Sequence, residues 1–553
     1  MYRLRSPILS LMLAGILAGP MAAIQAAEPT RVFIFAGQSN MEGADSKVED
    51  IKFFPPFRGL EEPQTEVKFR YSIGRQNKTQ SEGWEALKPV RNLVGPELSF
   101  ARHLRQQIEA PIAIIKCAAG GTHLGGDWNP TSPQGFKMYP LMMEMVQAGL
   151  KDLEDAGIEY QLEGVVWHQG ENDMFNEGYM AHYGENLAQL LAKWRTDLDA
   201  PNLRFYIGEL CTKTIWGMDL RPRMYAISQG QKAVTEADPL ADYVPSSHIG
   251  VEIGNPVGLH YHYGTLGQLE QGINYANAYL RNIGMKAEPH PSISPWPYPK
   301  NSVVRLFIMA GHRNMEGERA FKQELLPGHP ELAVPNSSIA YKYSIGGDFK
   351  QSNGWEPLRP AGYYDTFGPE VSFAFDLQEG SDARIAIAKF CHGGSQMNDW
   401  TPEGSPARSR HIYPRFIEFV RESISELEER GHSIELAGIF YHVGENEMSM
   451  PPYRKQSADW LRATIEQSRI DLNRPQLPWF VSQQQPTKHP RVDQIDVIAN
   501  LKQLATEVPG ITHIIDLDIP PQRKQLVFDT EGVIQLGKRL ANVYLNRNKP
   551  PRD

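Results

Sequence analysis

The sequence predicts two tandem three-layer α/β/α domains, each built on a parallel central sheet. The first observation is length, because 553 residues are more than one hydrophobic core ordinarily serves. The second is an internal repeat, in which RVFIFAGQSNMEG at residues 31–43 returns as RLFIMAGHRNMEG at residues 305–317. The third is the alternation of short apolar runs with helical patterns in each copy, which is typical of a parallel sheet covered by helices on both faces.

Three apolar runs of the first copy are predicted to be buried strands, namely residues 32–35, 112–115 and 164–167. They lead into the turns GQSN, AAGGT and HQGEND. Helices are predicted to begin near Pro96 and Thr265, because apolar residues follow both at helical spacing. Since ligands of parallel sheets bind beyond the carboxyl ends of the strands, the three turns predict one functional site.

The repeat extends over whole domains. The motifs YSIG, GWE, GPE and GEN recur in both halves in the same order. This spacing predicts a first domain over residues 30–286 and a second over residues 302–548, and it excludes a short-period solenoid. Residues 287–301 between them are rich in proline and are predicted to form a linker.

Composition and the first residues narrow the class of protein. The formal net charge is −9 at pH 7, so nothing predicts a nucleic acid or an anionic lipid surface as a partner. Residues 1–27 combine a charged start, a short apolar run and small residues, which predicts a signal peptide and export, to the periplasm or outside the cell. An uncleaved membrane anchor is the alternative. The three cysteines are far apart in sequence, which favours buried free thiols.

Ser39 is the candidate that carries chemistry. Ester hydrolysis by a serine needs a hydroxyl on a tight turn, a histidine base, an acid that orients the histidine and donors for the oxyanion. Ser39 follows the first predicted strand, and Gly37 permits a sharp bend there. From this pattern alone, Ser39 is either a nucleophile or a helix cap.

Four sequence blocks carry a resemblance to a known family. AGQSNMEG, KCAAGGT with a later DW, WHQGEND and HYGTLGQLEQG occur in this order in the first copy. Together they resemble the SGNH-hydrolase superfamily, and within it the sialate O-acetylesterase and acetylxylan esterase branch. The resemblance implies a flavodoxin-like fold and carboxylic ester hydrolysis, and it covers about residues 31–285. No H-E-x-x-H, Cys/His cluster or phosphate-binding loop occurs in the sequence, so no metal or cofactor is implied.

The resemblance also assigns roles to residues. It implies that Ser39 is the nucleophile, and that the oxyanion is bound by the Ser39 backbone N–H, by Gly120 or Gly121, and by the side chain of Gln169. The base is His262 or its neighbour His260, and the family spacing favours His262.

The acid is the least determined member of the expected site. Many relatives have an aspartate three residues before the histidine, where this chain has Leu259. Some members of the branch use the glutamate of HQGE instead, which is Glu171 here. Asp173, or a Ser–His dyad without a third member, are the alternatives.

The second copy has lost the implied nucleophile, oxyanion donor and base, whose places are taken by Arg313, Val443 and Val527. It keeps the two glycines and the glutamate, so those residues also serve the fold. We therefore expect the second domain to be inactive.

These observations predict an exported carbohydrate O-acetylesterase that acts on sialic acid or on a plant or algal polysaccharide such as acetylxylan. The alternative is a carbohydrate-binding pseudoenzyme without catalysis. The second domain could also serve a structural role by packing on the first. The loops that would contact the sugar have no readable code, so the substrate stays open at this point.

Overall fold

A computed structural model describes residues 28–75, 78–210, 218–251, 261–285, 289–405, 410–444, 451–484, 495–517, 519 and 526–547, with the strand Thr214–Ile215. The predicted signal peptide, residues 1–27, lies outside this part of the chain. So do Leu259, His260, Cys211 and Glu445.

The first domain is built on a mainly parallel sheet. The strands of this domain are β1 (Thr30–Gly37), β2 (Gln64–Ile73), β3 (Thr79–Gln80), β4 (Glu85–Leu87), β5 (Ile112–Ala118), β6 (Tyr160–His168), β7 (Arg204–Gly208), β8 (Thr214–Ile215), β9 (Met218–Asp219) and β10 (Ala241–Val244). Their order in the sheet is β10-β7-β6-β1-β5-β2-β3, and β4 also pairs with β2. Only β3 and β4 run antiparallel to their neighbour in this sheet, whereas β8 and β9 form a separate hairpin.

The second domain repeats this topology. Its strands are β11 (Val303–Gly311), β12 (Asn336–Ile345), β13 (Lys350–Gln351), β14 (Glu356–Leu358), β15 (Arg384–Cys391), β16 (Ser433–His442), β17 (Trp479–Ser482) and β18 (Ile511–Ile514). Read from the same edge, the order β18-β17-β16-β11-β15-β12-β13 matches the first sheet strand for strand.

Helices connect the strands in both domains. Those of the first domain are Ser39–Glu42, Glu97–Arg105, Met138–Asp155, Glu177–Ala181, Tyr183–Asp197, Arg221–Ala237 and Gly264–Asn282. Those of the second domain are Arg313–Glu316, Lys322–Leu325, Glu370–Gly380, Tyr413–Glu429, Pro451–Asp471, Ile495–Glu507 and Thr530–Asn546.

Each sheet has a hydrophobic core on both faces. Side chains alternate along a strand, so Phe33 and Phe35 of β1 pack into one core, beneath the helices that contain Leu98 and Leu269. Val32, Ile34 and Ala36 enter the opposite core, which the helices Met138–Asp155, Tyr183–Asp197 and Arg221–Ala237 cover. Strand β11 divides its side chains in the same way between two cores of the second domain. The predicted class of two tandem α/β/α domains is confirmed.

The expected strands position the candidate site. Strand β1 lies between β5 and β6, and the chain builds outward from it in both directions. A crevice forms at such a switch point, outside the carboxyl ends of the strands. The three turns singled out in the sequence follow β1, β5 and β6 and therefore meet at this crevice.

Residues of the predicted linker pack on the second domain. Tyr298 is buried, and its hydroxyl donates to the Ile385 carbonyl and accepts from the Ala340 N–H at 2.9 Å. Trp296 donates its indole N–H to His432 Nε2 at 2.8 Å. The stretch before β11 is therefore attached to the domain it precedes.

The described residues contain neither a membrane-spanning helix nor a metal-binding cluster. No helix there combines the length and apolarity that crossing a membrane requires. No cluster of three or more His, Cys, Asp or Glu side chains there is arranged to hold a metal ion. Cys117 and Cys391 are buried free thiols.

Candidate active site

Ser39 is presented by a tight turn at the end of β1. A Cβ on Gly37 would lie 2.0 Å from the His168 carbonyl oxygen, so only glycine fits next to β6 at this point. The short helix Ser39–Glu42 follows and ends at Gly43, whose φ of +100° is left-handed. Ser39 itself is half-buried. Its backbone N–H opens the helix, where such groups have no partner within the helix itself.

His262 and Asp45 form a hydrogen-bonded line with Ser39. His262 Nε2 lies 3.0 Å from the Ser39 hydroxyl oxygen, and His262 Nδ1 lies 2.7 Å from Asp45 Oδ2. The hydrogen bond with His262 holds the pKa of Asp45 below its usual range and outweighs the effect of partial burial. A charged Asp45 on Nδ1 leaves Nε2 free to accept the serine proton.

Asp45 reaches the histidine from an unusual backbone position. Its φ is +59°, a left-handed conformation that aspartate tolerates better than most residues. Its side chain keeps 55% of its surface exposed, whereas that of His262 keeps 8%. The acid therefore approaches the buried base from the solvent side of the crevice.

Glu171 does not hold the position expected of it. Both ring nitrogens of His262 are already paired with Ser39 and Asp45. Glu171 Oε1 instead accepts from Asn40 Nδ2 at 2.6 Å and lies 3.4 Å from His168 Nε2. Burial opposes the charge of Glu171, but the contacts with His168 and Asn40 hold its pKa below the usual value. The expectation that Glu171 orients His262 directly is therefore corrected to a role behind Asn40.

Asn40 holds the backbone on both sides of the histidine. Its Nδ2 donates to the Tyr261 carbonyl at 3.1 Å, and its Oδ1 accepts from the Tyr263 N–H at 3.3 Å. We call this pair of hydrogen bonds the asparagine clamp. Because Glu171 accepts from the same side-chain amide, it helps to orient Asn40 and thereby the clamp.

Two expected oxyanion donors are engaged elsewhere. The Gly120 N–H donates to Glu42 Oε1 at 3.0 Å. The amide nitrogen of Gln169 donates to the Thr122 carbonyl at 3.0 Å and to Asp173 Oδ2 at 2.6 Å. Both of its hydrogens are thus used, and the side chain is fully buried. Gln169 ties the turn after β6 to the turn after β5 rather than facing the crevice.

The side-chain amide of Asn172, which the sequence analysis did not consider, lies beside the glycine pair. A Cβ built on Gly121 would lie 3.5 Å from Asn172 Nδ2, and a Cβ on Gly120 would lie 3.3 Å from Ser39 Cβ. The glycine pair therefore lies between Ser39 and the Asn172 amide, which is half-buried. Asp173, the alternative acid, is instead buried and accepts the backbone N–H groups of Leu124 and Gly125 at 2.9 and 3.1 Å.

The second domain keeps the clamp, although other side chains replace Ser39 and His262. Asn314 Nδ2 donates to the Leu526 carbonyl at 3.0 Å, and Asn314 Oδ1 accepts from the Phe528 N–H at 2.8 Å. The residue held between them is Val527, so Val527 stands in the structural place of His262. The Gly393 N–H donates to Glu316 at 2.8 Å, as its counterpart Gly120 does to Glu42.

The repeat contained a signal for Asp45. Since Ser39 aligns with Arg313, Asp45 aligns with Arg319 six residues later. The second copy therefore has a positively charged arginine in the place of Asp45, and it also lacks the serine and the histidine. The alignment of the two copies therefore points to Asp45, whereas the residues next to His262 in sequence do not.

One known protein family matches both halves of the chain. A family model described as a carbohydrate esterase, sialic acid-specific acetylesterase, matches residues 29–281 and again residues 303–546. A probable carbohydrate esterase of Arabidopsis thaliana is 25% identical over 285 residues, which are 46% of this chain and 92% of the relative.

Two solved structures are also similar. NanS is 15% identical with a TM-score of 0.36, over 47% of this chain and 99% of that one. A carbohydrate acetylesterase from Xanthomonas citri is 18% identical with a TM-score of 0.34, over 47% of this chain and 58% of that one. Because the family match takes in most of both domains, this chain belongs to the sialic acid-specific acetylesterase family of carbohydrate esterases, in a tandem duplication.

Proposed function

We propose that the first domain is a serine-dependent O-acetylesterase that removes acetyl groups from a carbohydrate. The observation that carries the proposal is the line from Ser39 through His262 to Asp45, with separations of 3.0 and 2.7 Å. A helix cap, the other interpretation of Ser39, would not require a histidine on its hydroxyl.

Acylation follows from this line. Ser39 Oγ attacks the acetyl carbonyl carbon while its proton passes to His262 Nε2. Asp45 stabilises the imidazolium and holds the tautomer that keeps Nε2 available. Collapse of the tetrahedral intermediate transfers the histidine proton to the sugar oxygen, so the sugar leaves as an alcohol and the acetyl group stays on Ser39.

Deacylation uses the same groups in reverse roles. Water gives a proton to His262 Nε2 and attacks the acetyl carbonyl carbon, and the second intermediate then expels Ser39 Oγ, which recovers that proton. The product is acetic acid, which ionises to acetate at neutral pH.

The negative oxygen of each intermediate needs donors. We assign them to the Ser39 backbone N–H, the Gly121 N–H and the side-chain amide of Asn172. Gly120 and Gln169 are not assigned, because their N–H groups are engaged with Glu42, Thr122 and Asp173. Donors of this kind contribute about 10²- to 10³-fold to kcat each.

The substrate class comes from the family description, and O-acetylated sialic acid and acetylated xylan are the two candidates. The non-catalytic alternative had two grounds, namely Leu259 in place of the family's aspartate and the substitutions in the second domain. Asp45 supplies an acid beside His262, which supports catalysis over carbohydrate binding alone.

The test is release of acetate from O-acetyl sialic acid and from acetylated xylan, compared between wild type and Ser39→Ala. We expect turnover by wild type and its loss in the variant. Absence of wild-type turnover on both substrates and on a simple aryl acetate would contradict the proposal. Ser132→Ala is a matched control, because Ser132 is an exposed loop serine whose backbone N–H, rather than hydroxyl, is hydrogen-bonded to Asn129.

A further inference from the structure

Residues 246–251 of the first domain fill the second domain's counterpart of the catalytic crevice, and we call them the docking segment. In that crevice Gly393 and Gly394 stand in the places of Gly120 and Gly121. A Cβ built on Gly394 would lie 1.7 Å from the Ser247 carbonyl oxygen, and one on Gly393 would lie 3.2 Å from the His248 carbonyl oxygen. The main chain of the docking segment therefore lies directly on the glycine pair.

Arg313, in the place of the nucleophile, holds the other end of the docking segment. It is buried and forms a bidentate ion pair with Glu318, in which both N–O distances are 2.6 Å. Its remaining terminal nitrogen, Nη1, donates to the Val251 carbonyl at 3.1 Å. A Cβ on Gly250 would lie 2.2 Å from Glu318 Oε2 and 2.6 Å from Arg313 Nε, so the docking segment is in close contact with this ion pair.

His248 anchors the middle of the docking segment. Its ring stacks on Phe349 of the second domain, with centroids 3.5 Å apart and planes inclined by 15°. A Cβ on Gly346 would lie 2.5 Å from His248 Cβ. The segment is therefore fixed to the second domain at its beginning, middle and end.

The docking segment also packs against the residue that follows the catalytic base. Ile249 and Val251 form a buried cluster with Tyr263. A Cβ on Gly267 would lie 2.9 Å from Tyr263 Cβ and 3.0 Å from Ile249 Cγ2, which leaves little room for either side chain to shift. Tyr263 is directly bonded to His262 and gives its N–H to the asparagine clamp.

Glu209 of the first domain forms hydrogen bonds with both the docking segment and Tyr263. Its Oε2 accepts the N–H groups of Ser246 and Ser247 at 2.9 and 2.8 Å. Its carbonyl accepts the Tyr263 hydroxyl at 3.1 Å. Displacement of the docking segment would thus be transmitted to Tyr263 by packing and by a shared hydrogen-bond partner.

We propose that the second domain positions the catalytic histidine of the first, with its altered crevice as the receptor of the docking segment and Arg313 as the positioning residue. The inference rests on the proposed function, because it assigns Arg313 a part in aligning His262 with Ser39. The loss of serine in the second copy then created a binding site for the first domain as it removed a catalytic one.

The test uses the full chain with substitutions at both ends of the docking contact. Arg313→Met/Glu318→Gln removes the donor to Val251 without leaving a buried unpaired carboxylate. Gly394→Ala pushes on Ser247 from the opposite end, and Arg313→Lys keeps the charge and one donor. Arg469→Met is the matched arginine control, because this buried guanidinium donates only to the Leu477 and Pro509 carbonyls within the second domain. Gly328→Ala is the glycine control, since its Cβ would meet nothing within 4 Å.

The first measurement is the rate at which a fluorophosphonate labels Ser39, which reports serine activation without any sugar. We expect both docking variants to be labelled about 10- to 100-fold more slowly than wild type, because small displacements of a catalytic group cost that much. Arg313→Lys should fall in between, and both controls should stay within about twofold of wild type. The same variants should lower kcat for acetyl-ester hydrolysis while KM changes little. Wild-type labelling rates in folded docking variants would overturn the inference.

The second measurement is hydrogen exchange of the Ser246, Ser247 and Tyr263 amides, which does not depend on chemistry. We expect at least about tenfold faster exchange in the docking variants and unchanged exchange in the controls, because a released segment opens locally. If wild type failed to react with the phosphonate, the proposed function would be wrong, and exchange would still decide whether Arg313 holds the segment. Unchanged exchange in Arg313→Met/Glu318→Gln would contradict the inference by itself.

Discussion

The two domains share a backbone plan, and several side chains in the crevice differ between them. Ser39, Asp45, Gln169 and His262 of the first domain correspond to Arg313, Arg319, Val443 and Val527 of the second. The buried Lys116–Glu97 ion pair, with an N–O distance of 2.7 Å, has its equal in Lys389–Glu370 at 2.8 Å. The asparagine clamp is also present in both.

This comparison separates residues that build the crevice from residues that react in it. Groups present in both copies, such as the clamp and the buried ion pair, are needed wherever the fold is formed. Ser39, Asp45 and His262, which only the first copy has, are those that the proposed reaction requires. Gln169 is also specific to the first copy, but its buried amide joins two turns. Glu171 belongs with the framework by this criterion, since the sequence keeps Glu445 at the equivalent position and the structure puts Glu171 behind Asn40.

The largest loss of activity is expected when the serine is removed. Ser39→Ala should lower kcat for acetate release by about 10⁴- to 10⁶-fold, because the nucleophile is lost while the fold is kept. Thermal unfolding should change little, and acetate release by an enzyme-coupled assay is the measurement. Activity within tenfold of wild type would mean that the reaction occurs elsewhere.

The reverse change should not create a second enzyme. Arg313→Ser/Arg319→Asp/Val527→His, made on the Ser39→Ala background, restores the three reactive side chains in the second domain. We expect no recovery of acetate release, because the Ser247 and His248 carbonyl oxygens lie against Gly394 and Gly393, and these contacts do not involve Arg313. Recovery would show that the segment leaves the crevice accessible.

The next largest effect should distinguish Asp45 from Glu171. Asp45→Asn should lower kcat by about 10²- to 10⁴-fold, because the histidine loses its charged partner and its correct tautomer is no longer favoured. Glu171→Gln should cost about tenfold or less, since glutamine still accepts from Asn40. Steady-state kinetics of both variants at pH 7.5 is the check, and equal losses would restore Glu171 as a candidate acid.

Asn172 and Gln169 can be compared directly as donors to the oxyanion. Asn172→Ala should lower kcat by about 10²- to 10³-fold with little change in KM, as expected for a donor that acts in the transition state. Gln169→Ala should mainly destabilise the fold, because its amide joins two turns. Kinetics together with thermal unfolding tells the two apart. A kinetic loss in Gln169→Ala without loss of stability would return the donor role to Gln169.

The asparagine clamp should stabilise both domains, but only the clamp of the first domain should affect the rate of acetate release. Asn40→Ala and Asn314→Ala each remove hydrogen bonds to buried backbone groups and should cost about 1–3 kcal/mol of unfolding free energy. Only Asn40→Ala should also slow acetate release, because only Tyr261 and Tyr263 flank a reactive histidine. Chemical unfolding and kinetics of the pair test this, and a slowed Asn314→Ala would contradict it unless the docking segment moves as well.

The smallest effect concerns Glu316, the counterpart of Glu42. Burial and the neighbouring Glu318 carboxylate raise the pKa of Glu316 to about 8, although Gly393, Lys389 and Arg313 partly oppose the shift. The folded state therefore holds a proton that the unfolded state has lost, so stability falls as pH rises from about 4.5 to about 8. Glu316→Gln should remove this slope, which unfolding temperatures at pH 5 and pH 8 would reveal. An unchanged slope would assign it to other groups.

Much of this molecule could be predicted from local patterns. The strands ending at Gly37, Ala118 and His168 were predicted from apolar runs, because buried parallel strands are continuously hydrophobic. The pairing of Ser39 with His262 was expected from the four sequence blocks, and the structure brings the two side chains to hydrogen-bonding distance.

The errors arose where function depends on contacts between distant segments. Asp45 contacts His262 from a left-handed turn that lies 217 positions away in sequence, and nothing near His262 indicates it. Gln169 is a plausible donor by residue type, but its hydrogens are committed to Thr122 and Asp173 by folding. The partners of Asp45 and of Gln169 cannot be predicted from spacing along the chain.

The docking segment has a consequence for inhibitor design. It is a short peptide lying on a glycine pair, with its carbonyl oxygens against Gly393 and Gly394 and an imidazole stacked on an aromatic ring. The first domain has the same glycine pair beside Ser39, the proposed nucleophile. A peptidomimetic that copies the backbone of residues 246–251 and carries a serine-reactive group is therefore a rational template for blocking esterases of this family.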